Sequence, residues 1–226
     1  MYLSYTMKII VMDSGLGGKD FINKLKKVIK TKYEFVKLFD NMVSSYNKNY
    51  VREYLIKLLN NYSSKNIKSI IIACHSASSC ILDILIKNNF IINNINIYEP
   101  IIPMCLYIKE KKYKNILILS TPLTEKIRWH HRLLDSNNIK VKYITFPLLA
   151  KQLENNNNFD ESIYRLKIQQ DYIKKCDCVV LGCTHYNTIK DEILNELKTK
   201  YNFKGVILDS NDILLDYYKK NSREIL

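Results

Sequence analysis

The chain has 226 residues, which is long enough for one large domain or two smaller ones with separate cores. Its 47% hydrophobic and 25% charged residues are typical of a soluble globular protein, and no apolar run approaches the roughly 20 residues needed to cross a bilayer. The formal charge is +13, but the lysines are scattered and no nucleic-acid-binding motif is present. We therefore expect no nucleic-acid or membrane partner, and a basic surface that attracts an anionic substrate.

The N-terminal segment and the cysteines indicate a cytoplasmic protein. Residues 1–6 resemble an extension ahead of the first strand, with Met7 as an alternative start, and no secretory signal pattern is present. All six cysteines lie in apolar segments, which favours free thiols over disulfides. Cys176, Cys178, Cys183 and His185 lack the paired C-x2-C spacing of structural zinc, so we expect no metal.

The first part of the chain alternates strands and helices. The pattern predicts strands over 8–13, 34–39, 69–73 and 95–99 and helices from the glycine-rich turn to Lys30 and over 49–62 and 77–87. The turn 13–21 matches neither a dinucleotide fingerprint nor a Walker loop. Its helix N-terminus suits a carboxylate, with Asp13 and Ser14 at its mouth. Asp13 can equally be a simple helix cap.

The pattern restarts after residues 100–104. We predict helices over 104–110, 161–174, 186–200 and 211–220, and strands over 115–120, 141–146, 177–182 and 205–209. A further helix opens after Thr121 and Pro122, and it should carry His130 and His131 on a solvated surface. The alternation predicts an α/β fold of two similar lobes, each a mostly parallel sheet flanked by helices.

Two cysteines stand at equivalent places in the two halves. Cys74 and Cys183 lie 109 positions apart, and each follows a β-branched strand and precedes a helix. Facing lobes would therefore present one sulfur on each wall of the cleft between them. The pKa of a thiol, about 8.5, is lowered at a helix N-terminus, so we expect both sulfurs to be poised for general acid–base work.

Two such sulfurs can remove a proton from one face of a carbon and return one to the other, which inverts the centre without a cofactor. Asp13 and His185 are the neighbours expected to exchange protons with Cys74 and Cys183. Each also has a plain structural interpretation, as a cap and as a hydrogen-bonded histidine. A thiol hydrolase that uses one cysteine and His185 would leave the second cysteine idle.

Five segments, which arrive in one order along the chain, resemble the cofactor-independent glutamate racemases of the aspartate/glutamate racemase superfamily. The segments are 13–18 (DSGLGG), 40–47, 73–78 (ACHSAS), 147–154 and 182–186 (GCTHY). The resemblance extends from Met7 to about Leu215. It implies a racemase that interconverts L- and D-glutamate, often as a homodimer, and that supplies D-glutamate for peptidoglycan.

The resemblance also implies roles for individual residues. Cys74 and Cys183 would be the acid/base pair, assisted by Asp13, His185 and Glu154. The substrate-binding residues it implies are Ser14, Tyr46, Asn47, His75, Ser76 and Thr184. It further implies a first lobe of residues 1–98 plus 203–226 and a second lobe of residues 99–202.

The chain departs from the family pattern in ways that bear on its substrate. His75 replaces an asparagine and Ser76 a threonine, while Ser45 and Asn47 replace the proline and glycine of the family's P-Y-G. His75 is larger and can carry charge, so it can alter which dicarboxylate fits. The alternatives are a racemase for aspartate or another acidic amino acid, and a racemase-like binding or regulatory protein whose catalysis is lost or secondary.

Overall fold

The structure is a computed structural model, and it describes residues 7–64, 66–135, 138–156 and 164–222. Within these ranges, nine strands form two separate sheets. The first sheet, ordered β2-β1-β3-β5-β4, contains β1 (Lys8–Asp13), β2 (Lys32–Lys37), β3 (Ile67–Ile72), β4 (Ile91–Ile92) and β5 (Ile95–Tyr98). The second sheet, ordered β7-β6-β8-β9, contains β6 (Asn115–Ser120), β7 (Lys140–Thr145), β8 (Cys178–Gly182) and β9 (Val206–Leu208).

Helices cover both faces of each sheet. In chain order they are α1 (Leu16–Val28), α2 (Lys48–Asn60), α3 (His75–Lys87), α4 (Ile101–Glu110), α5 (Pro122–Ile127), α6 (Trp129–Leu134), α7 (Leu149–Glu154), α8 (Gln170–Ile173), α9 (Lys190–Tyr201) and α10 (Ser210–Asn221). Short 3-10 segments occupy Val43–Ser45, Tyr164–Gln169 and Thr184–Ile189. None of the helices in the described ranges is long and apolar enough to cross a membrane.

Strand order brings chemical groups together at the carboxyl end of each sheet. β1 and β3 pair in parallel with Met12 opposite Ile72, so Asp13 and Cys74 emerge as neighbours. In the second sheet β6 and β8 pair in parallel with Ser120 opposite Gly182, which places Thr121 beside Cys183. The central strands β3 and β8 are buried on both faces, which explains their continuous apolar sequence.

The predicted two-lobed α/β fold is confirmed, and four local expectations differ. A two-residue strand, β4, pairs antiparallel with β5 and makes an edge hairpin, which its length hid from the sequence pattern. Of the helix predicted over 161–174, residues 161–163 lie outside the described residues, Tyr164–Gln169 is a 3-10 segment and the α-helix begins at Gln170. The helix predicted over 186–200 becomes α-helical only at Lys190, after the 3-10 segment Thr184–Ile189. His130 is fully buried rather than solvated, because α6 packs its side chain towards the first lobe.

The chain passes between the lobes near its end. β9 pairs with β8 and therefore belongs to the second sheet, whereas the helix α10 packs its apolar face on the first sheet. Tyr218 of α10 lies 2.9 Å from the Ser69 hydroxyl of β3. The return of 203–226 to the first lobe and the exact lobe boundaries stay a prediction, of which residues 223–226 lie outside the described residues.

Candidate active site

A narrow cavity lies between the carboxyl ends of the two sheets. The space in it that a water-sized sphere can occupy is about 10 Å³, which is roughly what one water molecule needs. Its lining comes from both lobes: Ser14, Met42, Val43, Ser44, Cys74, His75, Ser76, Thr121, Ala150, Cys183, Thr184 and His185. Seven of these residues, including both cysteines, are site residues that the sequence predicts.

Cys74 ends the first lobe's central strand and precedes α3. Burial raises the pKa of its thiol well above the ordinary value, and the negative charges of Asp13 and Cys183 raise it further. The N–H groups of Ser76 and Ala77 at the start of α3 oppose this effect but do not overcome it. The expectation of a thiol near proton balance at Cys74 is therefore wrong, because desolvation outweighs the helix N-terminus. In the closed cavity Cys74 is a protonated acid.

Cys183 faces a chain of charged partners. Its sulfur lies 4.0 Å from His185 Nδ1, and His185 Nε2 lies 2.8 Å from Glu154 Oε2. Burial lowers the pKa of His185, but the contact with Cys183 and the charges of Cys183, Asp13 and Glu154 outweigh it and bring the pKa to about 9. His185 is thus a buried imidazolium at neutral pH, and it lies beside the Cys183 sulfur.

Glu154 joins the two lobes through its carboxylate. The same Oε2 atom accepts from Leu16 N at 2.8 Å, at the start of α1, as well as contacting His185. Burial acts to raise the pKa of Glu154, but these two partners outweigh it and the pKa is lowered. An added Cβ at Gly15 would lie 2.2 Å from Glu154 Oε2, so a larger residue there would displace the carboxylate from these partners.

Asp13 is buried and links β1 to the second lobe. Its Oδ1 accepts from Gly15 N at 3.0 Å and its Oδ2 accepts from the Thr184 hydroxyl at 3.0 Å. Burial raises the pKa of Asp13, although the charge of His185 and these hydrogen bonds oppose the rise. Asp13 therefore combines the two interpretations that the sequence left open: it binds the turn ahead of α1, and it lies close enough to Cys74 to change that thiol's pKa.

Ser14, His75 and Ser76 line the cavity as the sequence predicts. The Ser76 hydroxyl lies 2.8 Å from the Thr121 hydroxyl of the second lobe and 3.3 Å from that of Thr124. Thr121, at the turn that caps α5, is a lining residue that the sequence did not single out. The sequence contains a Thr-Pro-x-Thr turn at residues 121–124, but only the structure shows that this turn faces the cavity.

Tyr46 and Asn47 stand apart from the other expected site residues. Among the described residues that line the cavity, the loop before α2 contributes Met42, Val43 and Ser44 instead. The Tyr46 ring packs on Phe39 and the Asn47 side chain accepts from Tyr50 N as the cap of α2. Their roles in substrate binding stay a prediction that requires this loop to move.

The cavity offers acid–base groups rather than metal ligands. Within the described part of the chain, no three His, Cys, Asp or Glu side chains come together as a possible metal site. Both lobes place a thiol at one narrow cavity, with a carboxylate beside one sulfur and an imidazolium beside the other. This arrangement defines the class: a two-lobed α/β protein with an interlobe cavity suited to acid–base chemistry at two thiols.

Comparison with known proteins gives the family. No protein-family model matches the chain. The glutamate racemase of Fusobacterium nucleatum is 30% identical over 206 residues, which cover 86% of this chain and 75% of that protein. Glutamate racemase 2 of Bacillus subtilis is 27% identical over 227 residues, 92% of this chain and 84% of the relative. The chain belongs to the glutamate racemase family.

A solved structure agrees with the fold. The glutamate racemase of Thermus thermophilus, in complex with β-chloro-D-alanine, superposes with a TM-score of 0.80 over 98% of this chain and 82% of that one, at 18% identity. At this identity the likeness bears on the fold alone.

Proposed function

We propose that the protein interconverts L- and D-glutamate by proton transfer between the substrate α-carbon and two thiols. The observation that carries the proposal is that Cys74 and Cys183, one from each lobe, line the same cavity with different charged neighbours. Membership of the glutamate racemase family supports the choice of substrate.

The neighbours give the two sulfurs complementary starting states. Cys183, beside the His185 imidazolium, acts as the thiolate that takes the α-proton from one face. Cys74, kept protonated by burial and by Asp13, gives its proton to the opposite face. One turnover leaves a thiol at Cys183 and a thiolate at Cys74, which is the starting state for the reverse reaction. No cofactor takes part in these steps.

The two cysteines are tested by replacement. Cys74→Ser and Cys183→Ser should each remove nearly all racemisation, because a serine hydroxyl is a far weaker acid than a thiol and does not ionise near neutral pH to serve as a base. Circular dichroism of L-glutamate follows the loss of optical activity. Cys80→Ala, on the buried face of the same helix as Cys74, is the control and should keep near wild-type rates. Near wild-type exchange of the α-hydrogen in deuterated water by either serine variant would exclude the mechanism.

The nearest alternative is a racemase for aspartate or another acidic amino acid. The cavity is small, and His75 occupies a position where the family pattern has a shorter side chain. A panel of acidic amino acids, followed by optical rotation, separates these substrates by their kcat/KM. A racemase-like binding or regulatory protein would bind members of the panel with no measurable turnover.

Three properties beyond the chemistry belong to the same proposal. We expect the protein to act in the cytoplasm, to supply D-glutamate for peptidoglycan, and to form a homodimer. Light scattering of the purified protein tests the dimer, and a mass of 26.7 kDa would mean a monomer.

A further inference from the structure

Two buried histidines meet across the lobe interface beside the cavity. His75 is the first residue of α3 in the first lobe and is 1% exposed, and His130 lies on α6 of the second lobe and is 0% exposed. Their ring centroids are 5.7 Å apart and their planes differ by 19°, so the rings stack. His75 lines the cavity, and His130 supports its ring from the second lobe.

The ring nitrogens of this pair are unpartnered. Across the described ranges, neither Nδ1 nor Nε2 of either histidine has a hydrogen-bond partner. A buried polar group without a partner costs about 1–3 kcal/mol. Burial also lowers the pKa of both rings, that of His130 to about 4, so each is neutral and carries one N–H at neutral pH. A protein can carry this free-energy cost in its unliganded state where a bound ligand supplies the missing hydrogen-bond partner.

Most other polar side chains of the cavity are already engaged. Thr184 donates to Asp13, His185 contacts Cys183 and Glu154, and the Ser76 hydroxyl is held by Thr121. The described lining contains no lysine or arginine. The His185 imidazolium has both ring nitrogens in contact with Cys183 and Glu154, so a substrate with two carboxylates also needs neutral donors. The His75 ring stands at the N-terminus of a 13-residue helix that favours an anion.

We propose that His130 is a positioning residue for substrate binding. Stacked on His75, it holds that ring so that the imidazole N–H of His75 donates a hydrogen bond to a carboxylate of the substrate. The proposal rests on the proposed function, because it takes an acidic amino acid as the ligand. It gives this chain a paired-imidazole carboxylate site where the family pattern has an asparagine at the position of His75. Binding of the carboxylate supplies the partner that the His75 ring lacks in the closed cavity.

Removal of the donor should weaken binding more than turnover. His75→Phe keeps a flat ring without an N–H and should raise the KM for glutamate about 10- to 100-fold, the cost of one hydrogen bond to a charged group. His75→Asn restores a donor and should recover most of that loss. Thermal melts of each variant identify any that fail to fold.

The role of His130 is separated by a pair of variants. His130→Ala removes the supporting ring and should raise KM about as much as His75→Phe, with a smaller change in kcat. His130→Phe keeps the stack and should restore KM to near wild type. If the folded His130→Ala variant has a wild-type KM, the positioning role is wrong.

Inhibition by glutamine shows which of the two substrate carboxylates the His75 ring binds. Glutamine shares the α-carboxylate but has a neutral side chain, so it serves as a competitive inhibitor. A loss of affinity in His75→Phe for both molecules assigns the α-carboxylate, and a loss for glutamate alone assigns the side-chain carboxylate. Unchanged affinity for both overturns the proposal.

A binding measurement keeps this inference distinct from the proposed function. Nitrogen-15 spectra of labelled histidines, recorded with glutarate, should show the His75 ring signals moving in the wild type and the response weakened in His130→Ala. If the wild type racemises nothing but these signals move, the function fails and the carboxylate site stands. Signals that stay unmoved at the highest soluble glutarate concentration overturn the site.

Discussion

At the scale of single residues, the two sulfurs differ because their neighbours differ. Cys74 has a buried carboxyl beside it, whereas Cys183 has an imidazolium whose charge is supported by Glu154. The same burial that keeps Cys74 protonated strengthens the interaction between Cys183 and His185, since charges act more strongly where water is excluded. The two thiols are exposed to a similar extent, 6% for Cys74 and 7% for Cys183, and what differs between them is the charged group that lies beside each.

The support that Glu154 gives to His185 predicts a change in pH dependence. The pKa of His185 is raised to about 9, so the imidazolium and its contribution to the site are present below about pH 6.5 and are lost as the pH rises through 9. Glu154→Gln removes a negative partner and lowers that pKa. We expect the alkaline limb of the kcat profile to move to lower pH.

Initial rates measured across the alkaline range test this prediction. Glu192→Gln changes an exposed carboxylate of α9 and should leave the limb in place. If the alkaline limb of the kcat profile of Glu154→Gln stays at the wild-type pH, His185 does not need the Glu154 charge.

At the scale of elements, the packing of α1 against the 3-10 segment Thr184–Ile189 holds the site together. An added Cβ at Gly17 would lie 2.3 Å from the Thr184 side chain and 2.5 Å from its backbone carbon. Thr184 in turn donates to Asp13, so displacement of this segment disturbs the contact between the lobes beside both sulfurs. The second glycine of the turn is thus required by a close approach and not by backbone conformation.

Gly17→Ala should therefore destabilise the protein although alanine favours a helix. Helix propensity contributes up to about 1 kcal/mol in its favour, while overpacking of this kind costs about 1–3 kcal/mol. We expect a lower free energy of unfolding and a lower kcat. Asn23→Ala, on the exposed face of the same helix, should change neither measurably. Denaturant titration and initial rates compare the two variants, and equal behaviour would contradict the packing argument.

The sequence predicts the elements that are organised by local pattern. The strands β1, β3 and β8 are continuous apolar runs that end in polar motifs, and their positions and the meeting of Cys74 with Cys183 follow from that pattern. The burial of His130 could not be predicted, because the ring that covers it belongs to the other lobe. The pattern predicts the strand over 205–209 but not its sheet, because only tertiary pairing with β8 assigns β9 to the second sheet.

At the scale of the whole molecule, the cavity is closed and the substrate requires it to open. A space that one water molecule nearly fills does not admit an acidic amino acid, so the two lobes must separate along their interface. Beside the cavity that interface includes α1 of the first lobe packed against the 3-10 segment Thr184–Ile189 of the second. It also includes α3 facing α5 and α6, with the hydrogen bond between Ser76 and Thr121. Closure of the lobes around the substrate then excludes water from the two thiols.

The single tryptophan of the chain reports on this movement. Trp129 of α6 donates its indole Nε1–H to the Ser79 carbonyl of α3 at 2.9 Å, and its ring packs among residues of both lobes. When the lobes separate, the indole loses that partner and gains water, so its emission should shift to longer wavelength. The closed complex with substrate should shift it back.

Stopped-flow fluorescence during mixing with glutamate measures both phases. We expect the Trp129 emission to shift first to longer wavelength and then to return as the complex closes. The rate of the first phase should depend on glutamate concentration. Trp129→Phe removes the signal and serves as the blank. Emission that stays constant through substrate binding and turnover would show that α3 and α6 move together, and the opening would then have to occur on the side of the cavity formed by Met42, Val43 and Ser44.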